Sequence, residues 1–288
     1  MSQLEQTKVF NNTARVPEGW FWALRSDELA KGKAKPLKFL GRDLVTYRGE
    51  DGVVVALDAY CPHMGAHLAD GEVEGNSIRC LFHYWKFSAQ GDCEEIPCQK
   101  ATDMVAPQRA WPVSEKYGLI WIWSGSAAPR HPVPYIPEIG PGDAASRLGN
   151  AFVKECHPSV VMINAIDAQH FNSVHNLPVN LDLQPTEINE NCILFSNATF
   201  VPDSSWFSRL IGRFYAGPLT YVLSYWYGSS GTVTVGPDFL HFHIMFALRP
   251  TVDGRAEGQT ILITKRRPGL LGVLVTPVLL ALSKIVAE

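Results

Sequence analysis

Four side chains that commonly bind metals lie within one short stretch, residues 61–83. Cys61 and His63 form one pair, Cys80 and His83 form another, and sixteen residues separate the pairs. Two thiolates and two imidazoles fit a [2Fe–2S] cluster in which two Cys bind one iron and two His bind the other. The same set also fits a tetrahedral structural zinc ion. Zinc sites usually contain a cysteine-only pair, whereas each pair here mixes Cys with His, so the pattern favours the iron–sulfur cluster.

The residues around these four ligands resemble the Rieske domain of the Rieske non-heme iron oxygenases, in the form found in their large (alpha) subunit. The resemblance rests on the strings CPHMGAH, CLFHYWKF and GDC. It implies that the four residues hold a Rieske [2Fe–2S] cluster. Met64 stands where the family commonly has Arg, and Tyr84 stands where Gly is usual. Neither departure removes a ligand.

A second group of candidate ligands lies at residues 164–175, in the string NAIDAQHFNSVH. Asn164, Asp167 and His170 follow one another at intervals of three, which would place them along one side of a helix. His175 would lie on another face, so both histidines can bind one metal ion only where the helix bends, bulges or ends. We therefore predict a distortion between His170 and His175. On their own, two histidines five residues apart do not define a metal site.

The spacing Asp-x-x-His-x-x-x-x-His is similar to the mononuclear iron motif of Rieske oxygenases. The resemblance implies that His170 and His175 bind Fe(II) and that Asn164 lies close to the iron. It also implies that Asp167 is not a ligand but leads toward the Rieske histidine of a neighbouring subunit. In this family the third ligand is an Asp in a C-terminal helix. The last acid of the chain, and the only one after residue 260, is Glu288. We therefore expect the chain to stop before that ligand, with Glu288 itself as the alternative.

The first ligand stretch lies among segments that alternate as short strands do. FWAL, PLKFL, DLVTYR and VVVALDAY precede it, and YGLIWIWSG follows it. The Glu-Asp-Gly sequence at 50–52, between two alternating runs, predicts a hairpin. We interpret Trp85, Trp121 and Trp123 as packing residues. The sequence thus predicts an all-β Rieske domain at 17–125, with the ligand loops at one tip.

Five prolines between residues 126 and 143 indicate a connection to a second domain. That domain, 144–288 with the N-terminal arm 1–16, combines a helical stretch near 160–176 with alternating segments. The predicted strands are 187–200, 218–228, 231–248 and 258–266. The whole chain is therefore expected to be α+β. The resemblance implies that the second domain is a helix-grip catalytic domain, a curved antiparallel sheet wrapped on a long helix.

Two further features leave alternatives open. His241 and His243 share one face of an apparent strand; they fit either a second metal site or, more commonly, polar rings directed toward a cleft. The apolar stretch 269–282 is too short to span a membrane and contains Pro277. A buried or cleft-covering helix is favoured there, while the flanking Lys265 and Lys284 leave peripheral contact with anionic lipid open.

Bulk properties exclude other classes of protein. A net charge of −3 provides no basic surface for nucleic acid. Six cysteines in 288 residues do not form a disulfide framework, and the N-terminus has no apolar segment of the secretory kind. A cytoplasmic location is therefore expected.

The resemblance implies an oxygenase component that uses O₂ and electrons from a separate NAD(P)H reductase. It also implies a homotrimer in which one subunit's cluster lies beside the next subunit's iron. The apolar second domain favours an apolar substrate, and likeness to ketosteroid hydroxylases and cholesterol desaturases points to a sterol or steroid. Hydroxylation, desaturation and dealkylation all remain open. Two other functions also remain: an electron carrier in which only the Rieske domain works, and a zinc-stabilised lipid-binding protein.

Overall fold

The chain folds into two compact units. The computed structural model describes residues 16–97, 106–174, 182–200, 217–237, 240–267, 269 and 276–277. The first unit is Glu18–Val133, and the second begins at Pro134 and takes in Pro17. The change of unit after Val133 lies within the proline-rich connection predicted at 126–143.

The first unit is built from short antiparallel strands. They are β1 (Trp20–Arg25), β2 (Lys33–Phe39), β3 (Arg42–Arg48), β4 (Val54–Asp58), β5 (Glu72–Glu74), β6 (Ser77–Arg79), β7 (Lys86–Phe87), β8 (Cys93–Glu95), β9 (Ala110–Trp111), β10 (Val113–Lys116) and β11 (Leu119–Trp123). They form sheets with the strand orders β1-β11-β10, β2-β3-β4-β9 and β5-β6-β7-β8. The predicted hairpin is present as β3 and β4, which pair from Arg48 and Val54 outward around Gly52. The all-β first domain is confirmed.

A single apolar core underlies the ligand loops of this unit. Tyr47 and Leu57 from the second sheet meet Ile78 and Phe87 from the third, and all four are fully buried. Burying each such side chain contributes about 1.5–3 kcal/mol relative to exposure. The ligand loops therefore project from a rigid base.

The second unit is organised around one large antiparallel sheet. Its elements are β12 (Ala144–Lys154), α1 (Pro158–Ile163), α2 (Ala168–Ser173), β13 (Gln184–Asn189), β14 (Cys192–Phe200), β15 (Pro218–Trp226), β16 (Ser230–Pro237), β17 (Phe242–Pro250) and β18 (Ala256–Lys265). The strand order is β12-β18-β17-β16-β15-β14-β13. The strands from β13 to β18 follow one another as a meander, and β12 closes the far edge beside β18. The predicted antiparallel sheet is confirmed.

The strand boundaries differ from the prediction in three places. The segment predicted as one strand at 187–200 is the hairpin of β13 and β14, and 231–248 contains both β16 and β17. The strand β12 was not predicted. Its apolar residues do not alternate cleanly, and none of its side chains is fully buried. Its pairing with β18 also shifts register between Leu148 and Ala151. Most of the apolar stretch 269–282 lies outside the described residues. In the part of the chain that the structure describes, no helix is long and apolar enough to cross a membrane.

Candidate metal centres

The first ligand loop, residues 61–66, follows β4 and is closed by two backbone hydrogen bonds. The Cys61 N–H donates to the Ala66 carbonyl at 2.9 Å, and the Gly65 N–H donates to the Cys61 carbonyl at 2.8 Å. Gly65 has a φ of +74°, a left-handed conformation that glycine adopts without steric cost. This tight loop leaves His63 exposed.

The second ligand loop, residues 80–85, follows β6 and repeats the same hydrogen-bonding pattern. The Cys80 N–H donates to the Trp85 carbonyl at 2.8 Å, and the Tyr84 N–H donates to the Cys80 carbonyl at 3.0 Å. Tyr84 occupies the place that Gly65 has in the first loop, and its φ is +62°. A non-glycine residue in this conformation costs about 1–2 kcal/mol. The departure from glycine that the sequence shows at Tyr84 therefore has an energetic cost.

The four donors stand as a buried thiol pair and a more exposed imidazole pair. Cys61 and Cys80 are 3% and 1% exposed, and their thiols contact each other. The ring centroids of His63 and His83 are 4.6 Å apart. Burial raises the pKa of the Cys61 thiol to about 11, and the neighbouring Cys80 adds to this rise. A metal bound at the pair would offset that rise, because a coordinating thiol is deprotonated.

This arrangement fits a two-iron cluster whose inner iron takes both thiolates and whose outer iron takes both imidazoles. Among the residues that the structure describes, no three His, Cys, Asp or Glu side chains are placed to hold one metal ion. The burial of the two thiols and the greater exposure of the two imidazoles agree with the division that the cluster requires.

Aromatic rings hold the imidazole pair from both sides. The Trp85 ring stacks on the His63 ring with centroids 4.7 Å apart and an angle of 5° between the planes. The Phe82 ring lies 4.0 Å from the His83 ring. Trp85 is buried, as the packing interpretation predicts, but its contact with a ligand was not predicted. Its position two residues after His83 is the one sequence signal for that contact.

Exposed apolar side chains surround the same histidines. Met64, Leu81, Phe82 and Tyr84 are each between 55% and 65% exposed; we call these four residues the apolar tip. Exposed apolar residues that cluster at one place commonly mark an interaction site. The end of the first unit that carries the two histidines therefore also carries a cluster of exposed apolar side chains.

Arg79 anchors the second ligand loop by hydrogen bonds of its guanidinium. Its guanidinium donates to the Tyr84 carbonyl at 2.9 Å and to the carboxylates of Glu74 and Glu95 at 2.6–2.9 Å. These hydrogen bonds lower the pKa of both carboxyls. Arg79 was not singled out from the sequence, because nothing in its spacing links it to the loop.

The helix predicted at 160–176 is interrupted, which changes the arrangement of the second group of candidate ligands. After α1, residues 164–166 form a 3₁₀ turn, and Asp167 is extended with a ψ of 103°. The expectation that Asn164, Asp167 and His170 climb one continuous helix is therefore wrong. The break occurs because Asp167 caps α2 instead of continuing the helix: its side chain accepts the Gln169 N–H at 2.9 Å.

His170 lies within α2, which ends at Ser173. A helix end thus falls between His170 and position 175, as the predicted distortion requires. Asn164 and Asp167 are exposed, and His170 is half-buried. His175 and Glu288 lie outside the described residues.

His241 and His243 bind a carboxylate from the connection. His241 Nδ1 lies 2.9 Å from Glu138 Oε1, and His243 Nε2 lies 3.2 Å from the same oxygen. His243 Nδ1 is also 2.8 Å from Thr234 Oγ1. The hydrogen bonds from His243 and His241 lower the pKa of Glu138. Neither alternative from the sequence, a second metal site or polar rings toward a cleft, anticipated Glu138 as a partner.

Comparisons with known proteins identify the first unit. Residues 19–112 match the family model of the Rieske [2Fe-2S] domain, which confirms the predicted cluster type. The chain is 36% identical over 194 residues to aminopyrrolnitrin oxygenase PrnD of Pseudomonas fluorescens, covering 62% of this chain and 53% of the relative. It is 39% identical over 171 residues to cholesterol 7-desaturase nvd of Bombyx mori, covering 58% and 37%.

A third relative is a probable 3-ketosteroid-9-alpha-monooxygenase, oxygenase component, of Rhodococcus rhodochrous. It is 36% identical over 178 residues, which cover 60% of this chain and 45% of the relative. The chain spans about half the length, or less, of the curated relatives it matches. These matches confirm the resemblance to the Rieske oxygenases.

Solved structures share the fold of both units. Dicamba monooxygenase with non-heme iron and dicamba matches with a TM-score of 0.63 at 22% identity, covering 85% of this chain and 76% of the other. Pseudomonas putida CBB5 NdmA with caffeine matches with a TM-score of 0.67 at 19% identity, covering 93% and 80%. At these identities the likeness establishes the fold.

Proposed function

We propose that this chain, which carries a Rieske [2Fe–2S] domain and resembles Rieske oxygenase components over more than half its length, is the oxygenase component of a multi-component monooxygenase. One observation carries the proposal: the two ligand loops close in the same way and divide their donors into a buried thiol pair and a more exposed imidazole pair. A zinc-stabilised binding protein would not require that division.

Each part of the site has a role that follows from its position. A bound cluster supplies one-electron transfer, and a bound ferrous ion supplies the activation of O₂. Cys61 and Cys80 would hold the inner iron of the cluster. His63 and His83 would hold the outer iron, at the surface where an electron donor can approach. A separate reductase would deliver the electrons.

The second iron would bind to His170 and His175. By resemblance, Asp167 connects this site with the cluster of a neighbouring subunit and Asn164 lies beside the iron. Exposure of Asp167 at the break between α1 and α2 suits such a contact. We infer a closed head-to-tail homotrimer, in which the apolar tip of one subunit meets the next. Light scattering on the purified protein would give the oligomeric state.

The substrate would be an apolar molecule of the sterol or steroid class, and the reaction a hydroxylation. Two of the relatives named above carry cholesterol or ketosteroid in their names. The face of the sheet that meets α1 is apolar: Met162, Leu223 and Leu248 are buried there together. An apolar sheet face of this kind is consistent with an apolar substrate. Product analysis should also look for desaturated and dealkylated forms of the same substrate class.

The first experiment is metal and sulfide analysis of protein purified without oxygen, with an EPR spectrum of the reduced sample. About three irons and two sulfides per chain, with a Rieske-type signal, are expected. Two irons and two sulfides would support an electron carrier instead, and zinc without sulfide would overturn the redox function. Turnover with a reductase, NADH and O₂ is then measured on cholesterol and a 3-ketosteroid. The matched control is His170→Ala, which should keep the cluster signal and lose the product.

A further inference from the structure

The broken helix that carries the second group of candidate ligands is attached to the sheet by a tyrosine. The Tyr221 hydroxyl, on β15, donates to the carbonyl of Ala165 at 2.5 Å. Ala165 is the middle residue of the 3₁₀ turn that joins α1 to Asp167. The bond links two residues 56 positions apart and acts directly on the turn that precedes Asp167 and His170.

The reason for this bond lies in the way the helix is interrupted. In a continuous helix the Gln169 N–H would donate to the carbonyl four residues earlier, that of Ala165. Here the Gln169 N–H donates to the Asp167 side chain instead. Ala165 is half-buried, and its carbonyl needs another donor. The Tyr221 hydroxyl is that donor.

We propose that Tyr221 is a positioning residue for the mononuclear iron site, an inference that rests on the proposed function. Two competing bonds decide the path of the backbone at the break. With the hydroxyl present, the Ala165 carbonyl is satisfied and Asp167 is free to cap α2. Without the hydroxyl, the carbonyl competes for the Gln169 N–H, and Asp167 loses its capping partner. The backbone at Asp167 then turns toward helical values, and His170 moves with α2.

The same strand offers a matched control. Tyr225 lies four residues after Tyr221 and so on the same face of β15. Its hydroxyl is 3.1 Å from Ser159 Oγ, in the first turn of α1. Tyr225→Phe therefore removes one hydroxyl contact between the sheet and α1, and with it the hydrogen bond that the Gly228 N–H donates to the same hydroxyl at 3.4 Å, without changing the turn at Ala165. Tyr221→Phe removes the contact to the turn itself.

The test compares the wild-type chain, Tyr221→Phe and Tyr225→Phe, all purified without oxygen. Fe(II) is titrated into protein that retains its cluster, and amide hydrogen exchange across residues 164–170 is followed in the absence of added Fe(II). We expect both variants to keep two sulfides per chain and the Rieske EPR signal. Tyr221→Phe should weaken Fe(II) binding by about tenfold, at the lower end of what is lost when groups that orient metal ligands are removed. It should also speed exchange at 166–169, and Tyr225→Phe should do neither.

The outcomes separate this inference from the proposed function. Wild-type protein that binds no Fe(II) beyond its cluster would overturn both. Wild-type binding with an unchanged affinity in Tyr221→Phe would overturn the role of Tyr221 alone. A purely structural role predicts equal losses of melting temperature in the two variants with no difference in Fe(II) affinity, and that result would also overturn the inference.

Discussion

Replacing Gly71 by Ala should open the second ligand loop. Gly71 follows the short 3₁₀ turn of Leu68–Asp70, just before β5. A Cβ atom added there would lie 2.0 Å from the backbone carbonyl oxygen of Arg79, the residue that precedes Cys80. The backbone of Gly71, with a φ of −84° and a ψ of −165°, is open to any residue. Steric overlap is therefore the whole cost of the substitution.

The size of the effect follows from that overlap. The Cβ and the Arg79 carbonyl oxygen would have to separate by about 1 Å, since real Cβ contacts under 3.0 Å essentially do not occur. The Cβ is fixed to the backbone and its neighbour is a backbone atom, so the backbone itself must shift. Overpacking of this kind costs about 1–3 kcal/mol. Alanine also restricts the unfolded chain, which raises the free energy of unfolding by about 0.4–1 kcal/mol. We expect a net loss of about 0–2.6 kcal/mol, together with a displacement of Cys80 from Cys61.

Gly75→Ala is the matched control on the same hairpin. Gly75 has a φ of +62°, and nothing lies within 4 Å of its added Cβ. The substitution costs the left-handed conformation, about 1–2 kcal/mol, less the same gain of about 0.4–1 kcal/mol from the restricted unfolded chain. The two variants should therefore lose similar stability for different reasons, and only Gly71→Ala should disturb the cluster.

Urea unfolding and the EPR spectrum of the reduced protein measure both effects on one preparation. The expected result is a lowered urea midpoint in both variants, with shifted g-values or lost iron and sulfide only in Gly71→Ala. Wild-type stability and an unchanged spectrum in Gly71→Ala would refute the steric argument. A changed spectrum in Gly75→Ala would show that any loss of stability in this hairpin disturbs the cluster.

Three further outcomes follow from the described contacts. Tyr84→Gly should raise the free energy of unfolding by about 1 kcal/mol, since it relieves a left-handed tyrosine; a fall in the urea midpoint would mean that the ring contributes more than the strain costs. Trp85→Ala should lower that free energy by about 3–5 kcal/mol and, by unstacking His63, shift the midpoint potential of the cluster in a redox titration. Glu138→Gln tests the linkage to pH. The hydrogen bond from His243 lowers the pKa of Glu138 below its ordinary value of 4.5. The ionised Glu138 therefore stabilises the folded state fully above pH 4.5, and this stabilisation is lost as the pH falls through the lower folded-state pKa. The melting temperatures of wild type and Glu138→Gln should therefore differ at pH 7 and converge in acid; a constant difference would argue against this linkage.

The sequence alone determined the features that depend on neighbouring residues. The four candidate cluster ligands lie in two pairs of closely spaced positions, so their types and spacing are readable without a fold. The hairpin of β3 and β4 is likewise local, because an Asp-Gly turn and two alternating strands specify it. The motif of Asp167 and His170 was readable for the same reason, although its assignment as an iron site stays a proposal.

Tertiary structure decided everything that joins distant positions. The cysteine thiols meet inside and the imidazoles outside because two loops, each closed by its own hydrogen bonds, rest on one core. The bond from His241 to Glu138 spans 103 positions, and no local pattern specifies it. The break at Asp167 is the sharpest case. Helical spacing favoured a continuous helix, but an aspartate cap and a tyrosine from another strand satisfied the backbone groups that a break exposes. A hydrogen-bond partner supplied from the sheet can outweigh the local preference for helix, and spacing along the chain does not reveal that partner.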